Sequence, residues 1–159
     1  MKEIIEILDN NKINYELVEH DPVFTIDEMI DKHITDKGCV CKNLFLRNAN
    51  GKEHYLVSCE HETVVRMDEL ATKINSTRLS FASAERLTKY LGLEQGHVSP
   101  FGYINDESKS VVFVFNKSLL KKGKVGFHPN VNTATVFVEL KDVISLIEAH
   151  GNKVLLLDF

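Results

Sequence analysis

The chain has little cysteine, no long apolar run and no excess of one charge. It has three cysteines, an odd number that does not make a disulfide framework. Cys39 and Cys41 also lie too close along one strand to bridge comfortably. A reducing, cytoplasmic compartment is the simpler expectation. No stretch approaches the ~20 apolar residues that a membrane-spanning helix needs. The opening MKEIIEILDNNK mixes charge with apolar residues and lacks the core of a signal peptide. The net charge of −4 comes from interspersed signs, so no global basic field points to nucleic acid, and no DNA partner is expected; a local contact with one RNA end stays open. Cys-x-Cys with a distant Cys59 falls short of four zinc ligands, and neither metal nor cofactor is expected. The Gly-x-Gly-x-x-Gly fingerprint, the phosphate loop ending in Gly-Lys-Ser/Thr and the Gly-x-Ser-x-Gly elbow are all missing. The cysteines sit in strand-like apolar stretches, where a thiol is more often inert core than nucleophile.

What is present fits one domain spanning residues 1–159, long enough to bury a core at 43% hydrophobic content. Its centre is the stretch from Cys39 to Glu60. Two strand-like arms, around Leu44-Phe45-Leu46 and Tyr55-Leu56-Val57, flank Asn50-Gly51, a strong hairpin signal. Side chains alternate across a strand, so Val40, Lys42, Leu44 and Leu46 share one face. Lys42 is a cation in register with three aliphatics. It either snorkels out at the strand end or points into a cavity that uses positive charge. Ser58 to His61 reads as a solvated exit from the hairpin.

Around this centre the spacing predicts a helix over residues 2–11 and a strand from Tyr15 to Glu19, stopped at His20-Asp21-Pro22. A helix capped by Thr25 follows, then one capped by Asp68 and one capped by Ser83 with its exit at Gly92. Residues 94–108 read as an ordered loop and turn, Val111–Asn116 as a buried strand, and Thr133–Val138 as β-rich. Lys141–His150 reads as a helix and Val154–Leu157 as a closing strand. Irregular alternation with a plain hairpin argues for mixed α/β, with an antiparallel or mixed sheet rather than a doubly wound parallel one.

Three stretches carry unusual polar residues. The first is Lys42-Asn43. The second is Gly96-His97-Val98-Ser99-Pro100-Phe101-Gly102, whose glycines and proline specify a rigid loop. Its free amides can hold an anion or an oxyanion, although such loops are often plain connections. The third, from Gly126 through His128, Asn130, Asn132 and Thr133 to Thr135, crowds an imidazole, carboxamides and hydroxyls into a short run. Ordinary turn chemistry is the competing explanation there.

Taken in order, Lys42-Asn43-Leu44-Phe45-Leu46, Leu79-Ser80-Phe81-Ala82-Ser83, Gly96-x-x-x-Pro100, Gly126-Phe127-His128-Pro129-Asn130 and Asn132-Thr133-Ala134-Thr135 resemble the bacterial aminoacyl-tRNA editing domains. This is the YbaK/prolyl-tRNA-synthetase-associated family, and the chain is most similar to its free-standing PrdX/ProXp-ala branch. The resemblance implies a barrel-like mixed sheet with surrounding helices. It implies a deacylase acting on mischarged tRNA(Pro), alanyl-tRNA(Pro) first of all, with the acceptor end as partner and prolyl-tRNA synthetase as a further one. By resemblance Lys42, Gly96 and His128 are the catalytic positions. Asn43, His97, Val98, Ser99, Pro100, Phe101, Asn130, Asn132 and Thr133 line the substrate site. The cysteinyl-specific branch shares the lysine and the Gly-x-x-x-Pro loop but lacks the His-Pro-Asn and Asn-Thr-Ala-Thr runs, which points to alanine. A cysteinyl- or seryl-tRNA deacylase, or a sensor of amino acid or charged tRNA without turnover, are the alternatives.

Overall fold

The computed structural model describes Met1–Phe159. Eight strands form one mixed sheet with five α-helices around it. Helix α1 (Lys2–Asn10) leads into β1 (Tyr15–Glu19) and α2 (Ile26–Asp31). The hairpin strands are β2 (Cys39–Arg47) and β3 (His54–Glu60). Then come α3 (Met67–Lys73), β4 (Ser80–Phe81), α4 (Ala84–Leu91) and β5 (Val111–Asn116). Strands β6 (Lys124–Phe127) and β7 (Ala134–Glu139), helix α5 (Leu140–His150) and β8 (Val154–Leu157) complete the chain. The strand order is β1-β7-β6-β2-β3-β5-β8, with β4 added beside β2.

Strand β2 organises the sheet because it changes neighbours. On one side it runs antiparallel to β3 from Cys41–Glu60 to Arg47–His54. On the other it pairs parallel with β6 only at Cys39 and Val40, and with β4 only at Leu46 and Arg47. Between those partners its edge is open, and the cavity described below sits there.

The Val111–Asn116 run is apolar throughout because β5 lies between β3 and β8, parallel to both, with both faces covered. Phe113 and Phe115 pack into the larger core with Ile4, Leu8, Leu87, Leu91 and Ile147. Val114 faces a second core with Leu46, Tyr55, Val57, Leu70 and Ala71. A third cluster, Val23, Met29, Ile34, Val40 and Phe137, seats α2 against β7. Burying each such aliphatic stabilises by roughly 1.5–3 kcal/mol, which is what holds the short helices in place.

The caps at Thr25 and Ser83 form as the spacing requires, each accepting a backbone N–H at 3.2 Å. Four expectations change. Asp68 is not the cap of α3; Arg66 holds that position, and Asp68 lies in the first turn, where its carboxylate suits the helix dipole. The hairpin is closed by a six-residue loop rather than a two-residue turn. Only Gly51 takes positive φ, at 72°, and Asn48 closes the loop by accepting from Glu53 N–H at 3.1 Å. Ser58 and Cys59 are fully buried rather than solvated, because β3 sits between two other strands. Residues Pro100–Asn105 form a 3-10 helix inside the expected loop, started by Pro100 and by the Ser99 hydroxyl, which accepts from Phe101 N–H at 3.2 Å.

Candidate active site

A cavity of about 210 Å3 opens at the unpaired edge of β2. One wall is β2 itself, through Val40, Cys41, Lys42 and Asn43. A second is the loop at Gly96 and Val98. A third is Gly126, Phe127, His128 and Thr135 from β6 and β7, and the segment Val23–Ile26 with Met29 closes the rim. The sheet's change of partner therefore brings residues far apart in sequence to one hole.

Lys42 is one of the residues that line the cavity, and its ammonium donates to the Thr63 carbonyl just beyond β3. Asn43 ties the wall to the loop. Its Oδ1 accepts from Ser58 Oγ at 2.6 Å, and its Nδ2 donates to the Val98 carbonyl at 3.4 Å. That loop has free donors. Its Gly96 and Val98 N–H groups donate to no protein acceptor, while the neighbouring His97 N–H bonds the Glu94 carbonyl. Gly96 is at φ +85°, and a Cβ there would lie 3.0 Å from Phe24 Cδ1. Phe24 leaves 67% of its surface exposed at the rim.

His128 Nδ1 donates to the Ala134 carbonyl at 3.0 Å. Burial pushes its pKa below the usual histidine value, with nearby His20 and His97 adding to the effect and the Ala134 carbonyl opposing it. The neutral ring therefore predominates near pH 7. Cys41 is a poor nucleophile. Its bond to the Cys39 thiol, then burial, push its pKa well above the ordinary thiol value. No group of three or more His, Cys, Asp or Glu side chains is arranged to hold a metal ion.

Of the residues singled out from sequence, Lys42, Asn43, Gly96, Val98 and His128 meet in the cavity. The others stand behind it. Pro100 and Phe101 are buried in the 3-10 helix, and Ser99 caps that helix. His97 lies off the cavity wall, near enough to His128 to depress its basicity. Asn130 Nδ2 donates to the Phe101 carbonyl at 3.2 Å, joining two of the predicted motifs. Asn132 Nδ2 bonds the Val23 carbonyl at 3.2 Å, and the Thr133 carbonyl accepts from His20 N–H at 2.9 Å. Lining residues that the sequence does not mark as site positions include Phe24, Cys41, Gly126 and Thr135. Thr135 stood at the end of a noted run and Cys41 beside the lysine. Phe24 had no local signal, since only the fold brings it over Gly96.

The family model for the aminoacyl-tRNA editing domain matches residues 20–146. This chain belongs to that family. It is 48% identical to the prolyl-tRNA editing protein ProX of Acetoanaerobium sticklandii, over 94% of this chain and 91% of the relative. It is 33% identical to prolyl-tRNA synthetase associated domain-containing protein 1 of Mus musculus, over 92% of this chain and 89% of that one. A solved structure described as a candidate trans-editing enzyme for prolyl tRNA synthetase superposes with a TM-score of 0.74 over 99% of this chain and 96% of its own, at 18% identity. That likeness confirms the mixed α/β editing-domain fold. Membership makes the chain an aminoacyl-tRNA deacylase, an enzyme that cleaves the ester between amino acid and RNA. No helix is long and apolar enough to cross a membrane.

Proposed function

We propose that this chain acts in trans in the cytoplasm, hydrolysing the ester of mischarged tRNA(Pro), with alanyl-tRNA(Pro) as its principal substrate. The observation that carries this reading is a small cavity lined by one lysine, by two loop residues with unpaired amides and by a Cys41 thiol too buried to be a ready nucleophile. An aminoacyl ester is already activated, so a positioned water suffices once the carbonyl is polarised.

Water adds to the ester carbonyl, and the developing oxyanion is met by the Gly96 and Val98 N–H groups. Lys42 supplies positive charge to the oxyanion or to the terminal phosphate. Collapse of the intermediate breaks the bond to the ribose oxygen, which leaves with a proton, and the amino acid departs as its carboxylate. The free ribose hydroxyl beside the ester orients the water, supplying a group the protein lacks. Phe24 offers the terminal base an exposed ring, a contact worth about 1–3 kcal/mol in single-strand recognition.

Size supports the choice of amino acid. The cavity of about 210 Å3 is below the roughly 300–1,000 Å3 usual for ligand pockets. A synthetase excludes a smaller amino acid weakly, since one methylene is worth about 1–3 kcal/mol, and a second small pocket removes the error. The acceptor end of the tRNA is the partner surface, with prolyl-tRNA synthetase as the enzyme whose errors are corrected. Deacylation of alanyl-, cysteinyl-, seryl- and prolyl-tRNA(Pro) in parallel tests the reading. Alanyl-tRNA(Pro) should be cleaved fastest and prolyl-tRNA(Pro) spared. Faster release of cysteine or serine would move the substrate, and stoichiometric binding without turnover would make the protein a sensor.

A further inference from the structure

His20, Thr135 and His128 stand in a row across β1, β7 and β6. The β6–β7 register sets Phe127 against Val136, which puts His128 opposite Thr135. The β1–β7 register sets Val18 against Thr135, and the His20 N–H extends that ladder to the Thr133 carbonyl. His20 is thus diagonal to Thr135 on the same face, within reach of a ring side chain. The two imidazole centroids are 6.3 Å apart.

Their hydrogen bonds determine which atoms donate and which accept. His20 Nδ1 lies 2.8 Å from the Asp21 carbonyl, which can only accept, so Nδ1 holds the proton. In the neutral ring Nε2 is then an acceptor, and the Thr135 hydroxyl donates to it at 2.9 Å. Having used its only proton, Thr135 Oγ1 keeps a lone pair for the cavity it lines. His128 follows the same logic. Its Nδ1 proton goes to the Ala134 carbonyl, which in the neutral ring leaves Nε2 as an acceptor. Gly126 keeps this wall open, since a Cβ there would lie 3.0 Å from Thr135 Cγ2 and 2.8 Å from Phe137 Cε1. The cavity is therefore divided. Lys42 and the free loop amides are donors on one side, and the β6–β7 wall is a pair of acceptors.

We propose that His128 Nε2 and Thr135 Oγ1 accept the α-ammonium group of the aminoacyl substrate, with His20 as the positioning residue that turns the Thr135 hydroxyl. The inference rests on the deacylase reading and adds to it a subsite for the amine. Holding the ammonium at the acceptor wall turns the ester carbonyl toward the loop amides. An α-hydroxyl in its place brings one donor and no charge.

The test is single-turnover hydrolysis of alanyl-tRNA(Pro) and lactyl-tRNA(Pro), the latter carrying a hydroxyl in place of the amine. Each rate is divided by the spontaneous rate of the same ester. The wild type should favour the alanyl ester by about ten- to a hundredfold, the scale of charge-assisted hydrogen bonds. Thr135→Val should cut alanyl turnover far more than lactyl turnover, shrinking the preference to within about threefold on the same scale. Thr135→Ser should retain it. His20→Phe should lose the preference, and His20→Gln, whose amide oxygen can accept from Thr135, should restore it. Melting temperatures confirm that the variants fold. Equal losses on both esters, or an unchanged preference in Thr135→Val, would overturn the amine subsite and leave the deacylase reading standing. Failure of the wild type to cleave any aminoacyl-tRNA would overturn both.

Discussion

Replacing Gly96 with alanine adds one methyl group to a loop residue that lines the cavity. The added Cβ would lie 3.0 Å from Phe24 Cδ1. Phe24 is 67% exposed, so its ring can swing outward and the steric part of the cost is small. The backbone part remains. At φ +85° a residue with a Cβ is disfavoured by about 1–2 kcal/mol. The loop either bears that strain or relieves it by rotating the peptide planes around Gly96. If it bears the strain, the melting temperature falls by about 2–8 °C, at roughly 2–4 °C per kcal/mol for a chain of this size. If it relaxes, the Gly96 and Val98 N–H groups leave their positions. Losing one oxyanion donor costs about a hundred- to a thousandfold in kcat, so partial misplacement should cost about tenfold or more. Steady-state deacylation of alanyl-tRNA(Pro), paired with a thermal melt, separates the two. Gly96→Val should be worse than Gly96→Ala in kcat. Both variants at wild-type kcat with unchanged melting would refute the role given to the loop amides.

Three further outcomes are expected. Asp106 is buried and accepts from Val111 N–H at 2.9 Å and from Asn152 Nδ2 at 2.8 Å, so Asp106→Ala should cost about 2–4 kcal/mol by denaturant titration, with kcat per folded molecule unchanged. Burial, then the Arg86 guanidinium, lower the His54 pKa to about 4. The unfolded chain then binds more protons between about pH 6.5 and 4, so this group's contribution is intact above pH 6.5 and lost as pH falls toward 4, at up to about 1.4 kcal/mol per pH unit. His54→Gln should flatten that part of the stability profile, and an unchanged profile would contradict the burial argument. Among the thiols, the Cys41 hydrogen bond lowers the Cys39 pKa while burial pushes Cys59 up to about 11. Iodoacetamide followed by mass spectrometry should find Cys39 modified first; faster labelling of Cys59 would show the buried strand to be open.

Much of the fold was legible because its signals are local. The Ser83 cap and the Gly92 exit of α4, the Thr25 cap and the apolar Val111–Asn116 run all depend on neighbours in sequence, and each formed. The errors arose where tertiary packing decides. Ser58 and Cys59 look polar, yet a central strand buries them. Asn50-Gly51 is a hairpin signal, but the long loop is closed by Asn48. The candidate site was half legible. Lys42 stands out as an anomaly of register, whereas Gly96 and His128 gain a role only through the family resemblance. Their convergence depends on β2 pairing with β6 at one end and β4 at the other, which no local pattern encodes. Phe24 and His20 matter only through that convergence. The Asn130 and Asn132 side chains bond the Phe101 and Val23 carbonyls, and Thr133 contributes its backbone carbonyl, contacts that no local pattern announces.

The most direct measurement is the single-turnover hydrolysis rate of alanyl-tRNA(Pro) by the wild type and by Lys42→Ala. Lys42 is partly exposed and its ammonium bonds only the Thr63 carbonyl, so the variant should fold. The wild type should release alanine well above the spontaneous rate, and Lys42→Ala should be slower by about a hundredfold or more, the scale of a lost electrostatic stabiliser. A folded Lys42→Ala enzyme working at the wild-type rate would contradict the account.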